Sequence, residues 1–258
     1  MFTLHNGDCL QILPSIPSGS IDAIITDLPY GTTACKWDTV IEFAPMWKEV
    51  KRVLKPNGAF ITTASQPFTS ALIMSNPSMF KCEWIWNKTR ASNFASVKYH
   101  PLRYHENIVL FGSGAVTYNP QMETGERYHT RITKRGVIGG NKTIESLEKL
   151  PRDTRYPSSV LVYPNMRQQN SIHPTQKPVA LYEYLIKTYT NEGETVLDIA
   201  MGSGTTIEAA ERTGRNSIGI EKDEGIFQSA VLRLKSFTPS NTAYTRQGQV
   251  APQFDNFE

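Results

Sequence analysis

A tetrapeptide near the N-terminus, Asp27-Leu28-Pro29-Tyr30, carries residue types that could activate a poorly nucleophilic amino group on a base. A carboxylate and a backbone carbonyl can each accept one of the two amino hydrogens, which frees the nitrogen lone pair from the ring. The carboxylate would also stabilise positive charge that develops on the nitrogen. The proline stiffens the turn, and the tyrosine ring offers a face for a base taken out of its stack. The same residues would also suit an ordinary strand end with a packed tyrosine.

The element before this tetrapeptide should place it at the edge of a sheet. Residues 21–26 are apolar and β-branched, which predicts a buried strand. Ligands of open α/β sheets bind at the carboxyl ends of the strands. A second acid, Asp8, follows the strand-like opening of the chain, and it would serve equally as the cap of the next helix.

A second constellation lies in the C-terminal half, where a strand, the turn Gly202-Ser203-Gly204, a helix and a strand ending in Glu221 follow one another. Glycines let the backbone approach a ligand closely, and an acid at this distance can accept from ribose hydroxyls. Ile207 replaces the third glycine of a dinucleotide site, and Thr205-Thr206 replaces the Lys-Ser/Thr of a P-loop. The pattern therefore favours a cofactor without a pyrophosphate, and S-adenosylmethionine fits.

The rest of the chain alternates between helices and strands. This alternation predicts a parallel or mixed sheet with helices on both faces. We expect Pro56-Asn57-Gly58 to end the first of these helices. The predicted helices span residues 46–54, 69–75, 178–189, 205–213 and 223–234, and the predicted strands span residues 59–63, 83–86, 105–111, 195–200 and 217–220.

Residues 118–170 break the alternation and are rich in Gly, Pro, Arg, Lys, Tyr and Asn. A long stretch without periodicity is commonly functional, and Asn, Gln, Arg and Lys read base edges. We predict a recognition region inserted between residues 1–117 and 171–236, with a polar tail at 237–258. A partly disordered surface loop is the alternative for the inserted region.

The distribution of charge is more informative than the net charge of +3. Residues 81–105 carry five Lys/Arg against one acid, and residues 118–170 carry nine against five, so each segment has a charge of +4. Such basic segments suit phosphates, although a solvated basic loop would look the same.

The three cysteines, Cys9, Cys35 and Cys82, are too far apart for a disulfide framework or a zinc site. We therefore expect no metal and a reduced, cytoplasmic setting. No apolar stretch approaches 18 residues and the N-terminus lacks signal-peptide features, so we expect no membrane span.

Together these motifs resemble those of the β-class amino DNA methyltransferases. Residues 27–30 are similar to the family's Asp-Pro-Pro-Tyr catalytic motif, and residues 198–206 to its Asp-Pro-Phe-x-Gly-Ser-Gly-Thr-Thr cofactor motif. Residues 173–178 match its His-Pro-Thr-Gln-Lys-Pro motif in full, and Asn6-Gly7-Asp8 resembles its opening Gly-Asp. The resemblance spans roughly residues 4–236.

The resemblance implies an α/β fold: a seven-stranded, mostly parallel, Rossmann-like methyltransferase sheet with helices on both faces. It also implies a sequence-permuted order in which the catalytic half precedes the cofactor half. Asp8 would meet the cofactor adenine and Glu221 its ribose. The methionyl portion would be lined by His173, Lys177, Asp198 and the turn at Gly202 and Gly204.

Two positions depart from the family pattern. Leu28 replaces the first proline of the catalytic motif, where the role belongs to the main-chain carbonyl, so we expect little loss. Ala200 replaces the phenylalanine of the cofactor motif, whose ring packs at the cofactor, so a contact with the cofactor is lost.

The function implied by the resemblance is methyl transfer from S-adenosylmethionine to the N6 amino group of an adenine flipped out of double-stranded DNA, by a monomer or a homodimer. An acid at position 27 goes mostly with adenine in the family and serine mostly with cytosine N4, which makes N4-cytosine methylation the alternative. RNA and protein amides are further possible acceptors. Two rivals are a non-catalytic, cofactor-sensing DNA-binding subunit, disfavoured by the intact Asp27 and Tyr30, and a nicotinamide oxidoreductase, disfavoured by Ile207.

Overall fold

The computed structural model describes residues 1–32, 38–125, 153–165 and 176–236, which contain ten strands and six α-helices. The strands are β1 (Phe2–Asn6), β2 (Ile21–Asp27), β3 (Leu54–Ala64), β4 (Phe80–Asn87), β5 (His105–Phe111), β6 (Glu123–Thr124), β7 (Thr154–Arg155), β8 (Val160–Val162), β9 (Thr195–Asp198) and β10 (Asn216–Glu221). The α-helices are α1 (Cys9–Ile12), α2 (Phe43–Val53), α3 (Phe68–Ser75), α4 (Val179–Tyr189), α5 (Thr205–Arg212) and α6 (Glu224–Ser236).

One mostly parallel sheet organises the described chain, in the order β1-β10-β9-β2-β3-β5-β4-β8. The pairs from β1 to β3 are parallel, β5 runs antiparallel to both β3 and β4, and β8 pairs parallel to β4. The mostly parallel α/β sheet is thus confirmed. It has eight strands where seven were expected, because Val160–Val162 pairs with Ile85–Asn87 and extends the edge.

Helices cover both faces of the centre of the sheet. Strand β2 buries its first six residues, as expected for a parallel strand covered on both sides. Ile24 packs in one core cluster with Met46 of α2 and residues of α1 and α3. Ile25 points to the opposite face and packs with Leu185 of α4 and residues of α5.

The expectation that residues 56–58 end helix α2 was wrong. The helix ends at Val53, and these residues belong to strand β3. They form an irregular stretch, since Ile21 and Ala23 of β2 pair with Leu54 and Ala59, which are five positions apart in β3. Pro56 falls among the unpaired positions of this stretch, so its missing N–H removes no bond from the ladder.

The predicted recognition region is described at residues 118–125 and 153–165, where β6 and β7 pair with each other and β8 joins the main sheet. The C-terminal end of this region therefore belongs to the sheet. Residues 126–152, 166–170 and the tail at 237–258 lie outside the described residues, and the domain division stays a prediction. In the described chain, no helix is long and apolar enough to cross a membrane.

Candidate active site

Four acids meet at one edge of the sheet. Asp27, Asp198 and Glu221 are the last residues of β2, β9 and β10, and Asp8 lies two residues after β1. These four strands are neighbours and parallel, so their carboxyl ends face the same crevice, where ligands of α/β sheets bind. All four acids line one cavity of about 550 Å³.

The carboxylate of Asp27 is held by three donors. The Tyr30 hydroxyl donates to Oδ1 at 2.9 Å, and the Thr63 hydroxyl donates to the same oxygen. The Lys177 ammonium donates to Oδ2 at 2.6 Å. Thr63 is available because it pairs with Asp27 across β2 and β3. Asp27 therefore has a fixed orientation at the cavity wall.

The other residues of the tetrapeptide also line the cavity. The Leu28 side chain is buried in the core, which anchors the backbone at this point. The Tyr30 ring stacks on Phe68 with centroids 5.2 Å apart, so one of its faces is already covered. Burial, together with the nearby Asp27, raises the Tyr30 pKa well above its ordinary value, and its hydroxyl remains a donor.

Lys177 contacts Asp27 of the tetrapeptide and lies between two acids. Its Nζ is 2.6 Å from Asp27 Oδ2 and 3.7 Å from Glu106 Oε2. Burial alone would lower the Lys177 pKa, but Asp27 and Glu106 outweigh it and raise the pKa. Lys88 lies 3.0 Å from the other Glu106 oxygen and completes a chain of four alternating charges. The resemblance gave Lys177 to the methionyl portion, and its side chain does line the cavity.

Asp198 is a carboxylate with almost no access to water, since it is 2% exposed. Its Oδ1 accepts from the Thr26 hydroxyl at 2.7 Å and from the Ala200 amide at 3.1 Å. Its Oδ2 accepts from the Thr206 hydroxyl. Burial outweighs these three donors and raises the Asp198 pKa to about 6. Because Thr26 precedes Asp27, this carboxylate joins the two halves of the site.

Glu221 holds the glycine turn. Its Oε2 accepts from the Gly202 amide at 2.9 Å, and its Oε1 accepts from the Asp223 amide at 2.8 Å. Burial raises the pKa of this carboxyl. Gly202 and Gly204 have φ values of 51° and 78°, the left-handed conformation that favours glycine. Each Glu221 oxygen still has a lone pair for a hydroxyl donor from a ligand.

Asp8 caps α1, as predicted, and also lines the cavity. Its side chain accepts from the Leu10 amide and from the Lys222 ammonium, each at 2.9 Å. Burial would raise the Asp8 pKa, but the Lys222 and Leu10 donors lower it below its ordinary value. Gly204, also predicted as a cofactor-binding residue, does not itself line the cavity, whereas its neighbours Ser203 and Thr205 do. His173 lies outside the described residues.

The sequence did not predict that Thr63, Thr26 and Glu106 belong to the site. Glu106 lies between His105 and Asn107 in the polar first part of β5, so its sequence context carries only a weak signal. The threonines resemble any β-branched strand residue, so nothing in their own pattern marks them.

The charge of the cavity indicates which ligands fit. Its described lining contains seven acids and two lysines: Asp8, Asp27, Asp38, Glu42, Asp198, Glu221 and Asp223 against Lys177 and Lys222. Such a surface disfavours phosphates and suits a ligand with cationic groups and hydroxyl donors. Among the described residues, no group of three or more His, Cys, Asp or Glu could hold a metal ion.

The chain is similar to known DNA methyltransferases. The family model for DNA methylase, of the N6/N4 type, matches residues 21–232. The Type II methyltransferase M.HpaI of Haemophilus parainfluenzae is 29% identical over 242 residues, covering 89% of this chain and 73% of that protein. The DNA adenine methyltransferase YhdJ of Escherichia coli (strain K12) is 28% identical over 251 residues, covering 90% of this chain and 82% of YhdJ.

Two solved structures share the fold. The M1.HpyAVI–SAM complex has a TM-score of 0.63 at 22% identity, covering 91% of this chain and 99% of that one. The cytosine-N4-specific PvuII DNA methyltransferase has a TM-score of 0.64 at 19% identity, covering 94% of this chain and 88% of that one. Since the family model spans most of the sequence, the chain belongs to the N6/N4 DNA methylase family, the S-adenosylmethionine-dependent enzymes that methylate amino groups of DNA bases.

Proposed function

We propose that this protein methylates the N6 amino group of a flipped adenine in duplex DNA. The observation that carries the proposal is the Asp27 carboxylate, fixed by Tyr30, Thr63 and Lys177 at the wall of a cavity that also contains Glu221 and its glycine turn. The choice of adenine is supported by the acid at position 27 and by the similarity to YhdJ.

The acidic cavity suits S-adenosylmethionine. When bound, this cofactor supplies an electrophilic methyl group on a sulfonium. Glu221 would accept from its ribose hydroxyls, and Asp8 would lie at its adenine. Asp198 and the turn at Gly202 and Gly204 would hold the methionyl end, whose ammonium suits the surrounding carboxylates. His173 is assigned to the same end by the motif match alone.

The residues at position 27–30 would prepare the target nitrogen. An Asp27 oxygen and the Leu28 carbonyl accept its two hydrogens, which makes the nitrogen more tetrahedral and its lone pair more available. The carboxylate stabilises the positive charge that develops and takes the proton that is released. Tyr30 would stack on the flipped base with the ring face that Phe68 does not occupy. The Lys177 ammonium lies over this ring, 5.9 Å from its centroid.

A basic loop next to this edge supports DNA as the acceptor. Residues 88–104 connect β4 to β5, and β5 runs antiparallel to β3, so the loop leaves the sheet on the side of Asp27. The loop contains no acidic residue and exposes Arg90, Lys98 and Arg103. Arginine and lysine contacts to phosphates position a duplex without reading its sequence.

N4-cytosine is the second candidate, because the same geometry holds the amino group of cytosine and the fold is shared with the cytosine-N4-specific PvuII enzyme. Nucleoside mass spectrometry of genomic DNA from cells that express the chain, against cells with an empty vector, separates the two. N6-methyladenine is the expected product. N4-methylcytosine would overturn the choice of base, and no methylated base, from a folded protein, would overturn the proposed function.

A further inference from the structure

The resting site presents a conflict at Asp27. Methyl transfer needs an Asp27 oxygen to receive the target amino group. Oδ1 already accepts from Tyr30 and Thr63, and the remaining lone pair of Oδ2 lies beside the Lys177 ammonium. The Lys177 ammonium would also stand beside a nitrogen that becomes positively charged. The positive charges of the ammonium and of the target nitrogen would repel each other and raise the energy of the transition state. An ammonium that stays on Asp27 therefore opposes the reaction.

Glu106 offers this ammonium a second position. Its Oε2 is buried and accepts no hydrogen bond from any described residue, although it is 3.7 Å from Lys177 Nζ. Buried carboxylate oxygens are normally hydrogen-bonded. The other oxygen of Glu106 is bound to Lys88, which is itself 2% exposed and fixed in place. A shift of about 1 Å would bring Lys177 within hydrogen-bond distance of Oε2.

We propose that Lys177 is a positioning residue that moves from Asp27 to Glu106 when the target amino group binds. In the resting site the lysine holds the Asp27 carboxylate in orientation. In the reacting site the ammonium binds Glu106, so both lone pairs of Asp27 Oδ2 and its uncompensated negative charge face the amino group. The inference rests on the proposed function and deepens it.

The charges of the cluster are compatible with this movement. Asp27 and Glu106 carry two negative charges, and Lys88 and Lys177 two positive charges, so the move changes no net charge in a largely buried region. The ammonium keeps a carboxylate partner in both positions, which avoids the cost of an unpaired buried ion. The two acids keep Lys177 protonated, so it acts as a charge and not as the base.

A pair of substitutions tests the movement. Glu106→Gln keeps the shape of the second position and removes its charge, so Lys177 stays on Asp27. The single-turnover rate on unmethylated plasmid DNA should fall at least about tenfold, while the Kd for S-adenosylmethionine, measured by calorimetry, stays unchanged. Adding Lys177→Met removes the trapped ammonium, so the double variant should be faster than Glu106→Gln alone.

Each result bears on the inference. A structural role for Glu106 would leave the double variant as slow as Glu106→Gln or slower, which would overturn it. A weaker cofactor Kd in Lys177→Met alone, at an unchanged single-turnover rate, would also overturn it and assign the lysine to the cofactor. A wild-type chain without methylation in the same assay would refute the proposed function itself.

Two further variants keep the test sharp. Glu83→Gln is the matched control, because this exposed glutamate lies on the neighbouring strand β4 and should retain the wild-type rate. If Glu106→Gln does not fold because Lys88 is left unpaired, Lys88→Met/Glu106→Gln removes both charges of that pair and leaves Lys177 on Asp27. The single-turnover rate of this double variant should fall in the same way, and adding Lys177→Met should raise it again. A double variant with the wild-type rate would contradict the movement.

Discussion

Replacing Asp198 by asparagine should remove a pH-dependent cost to stability. The Asp198 carboxyl is 2% exposed, and burial raises its pKa to about 6 from an ordinary value of 3.8. Asparagine has the same shape and does not titrate. Its oxygen can accept from Thr26 and Ala200, and its amino group can donate to the Thr206 hydroxyl, so the packing is kept.

The sign and the size of the stability change follow from the pKa values of Asp198 in the folded and unfolded chains. Below both values the folded and unfolded chains each hold the proton, and between them only the folded chain does. Stability therefore falls as pH rises through this window and stays lower above it. A difference of about two pKa units corresponds to about 3 kcal/mol in total. About 2 kcal/mol of this lies between about pH 4.5 and about pH 7.5.

The assay is urea unfolding of the wild type and Asp198→Asn across this pH range. Other groups titrate in both proteins and cancel in the difference, so the stability of the variant relative to the wild type should rise by about 2 kcal/mol from the acidic to the neutral end. Parallel pH profiles for the two proteins would refute the reasoning, because they would mean that Asp198 has the same pKa in the folded and unfolded chains.

Two other substitutions test the cofactor half. Glu221→Gln replaces one acceptor oxygen by a donor that faces a backbone amide, so the Kd for S-adenosylmethionine should rise at least about tenfold by calorimetry. Glu224→Gln, at an exposed position, serves as the control. An unchanged Kd in Glu221→Gln would contradict the ribose assignment. Gly204→Ala places a Cβ 3.0 Å from Leu234 at a φ of 78° and should cost about 1–2 kcal/mol in unfolding experiments. Gly193→Ala has a similar φ in open space and should cost less, so equal losses would exclude the contact with Leu234.

The acids of the site were predictable because each follows a recognisable strand. The runs before Asp27, Asp198 and Glu221 are apolar and short, and parallel strands bring their carboxyl ends to one edge. The same reasoning located the glycine turn and the helices on both faces. The local sequence pattern was sufficient to predict these positions, because the residues that define each strand end lie within a few positions of the acid.

The contacts of Lys177 could not be predicted in this way. It lies 150 residues from Asp27, and the motif that contains it points to the cofactor. Glu106 reaches it only because β5 runs antiparallel to β3, a pairing that no local periodicity reveals. Strand β8 was not predicted because three residues in a Gly- and Pro-rich region are too few to show a strand pattern. It is defined by its pairing with β4, which is distant in sequence.

The central claim is that Asp27 holds the target amino group, and Asp27→Ala tests it most directly. The variant and the wild type should be compared in single-turnover methyl transfer to unmethylated plasmid DNA, with the cofactor Kd measured on the same samples. We predict a rate at least about a hundredfold lower with an unchanged Kd, since the carboxylate acts on the transition state. A variant that methylates DNA at nearly the wild-type rate would contradict the account.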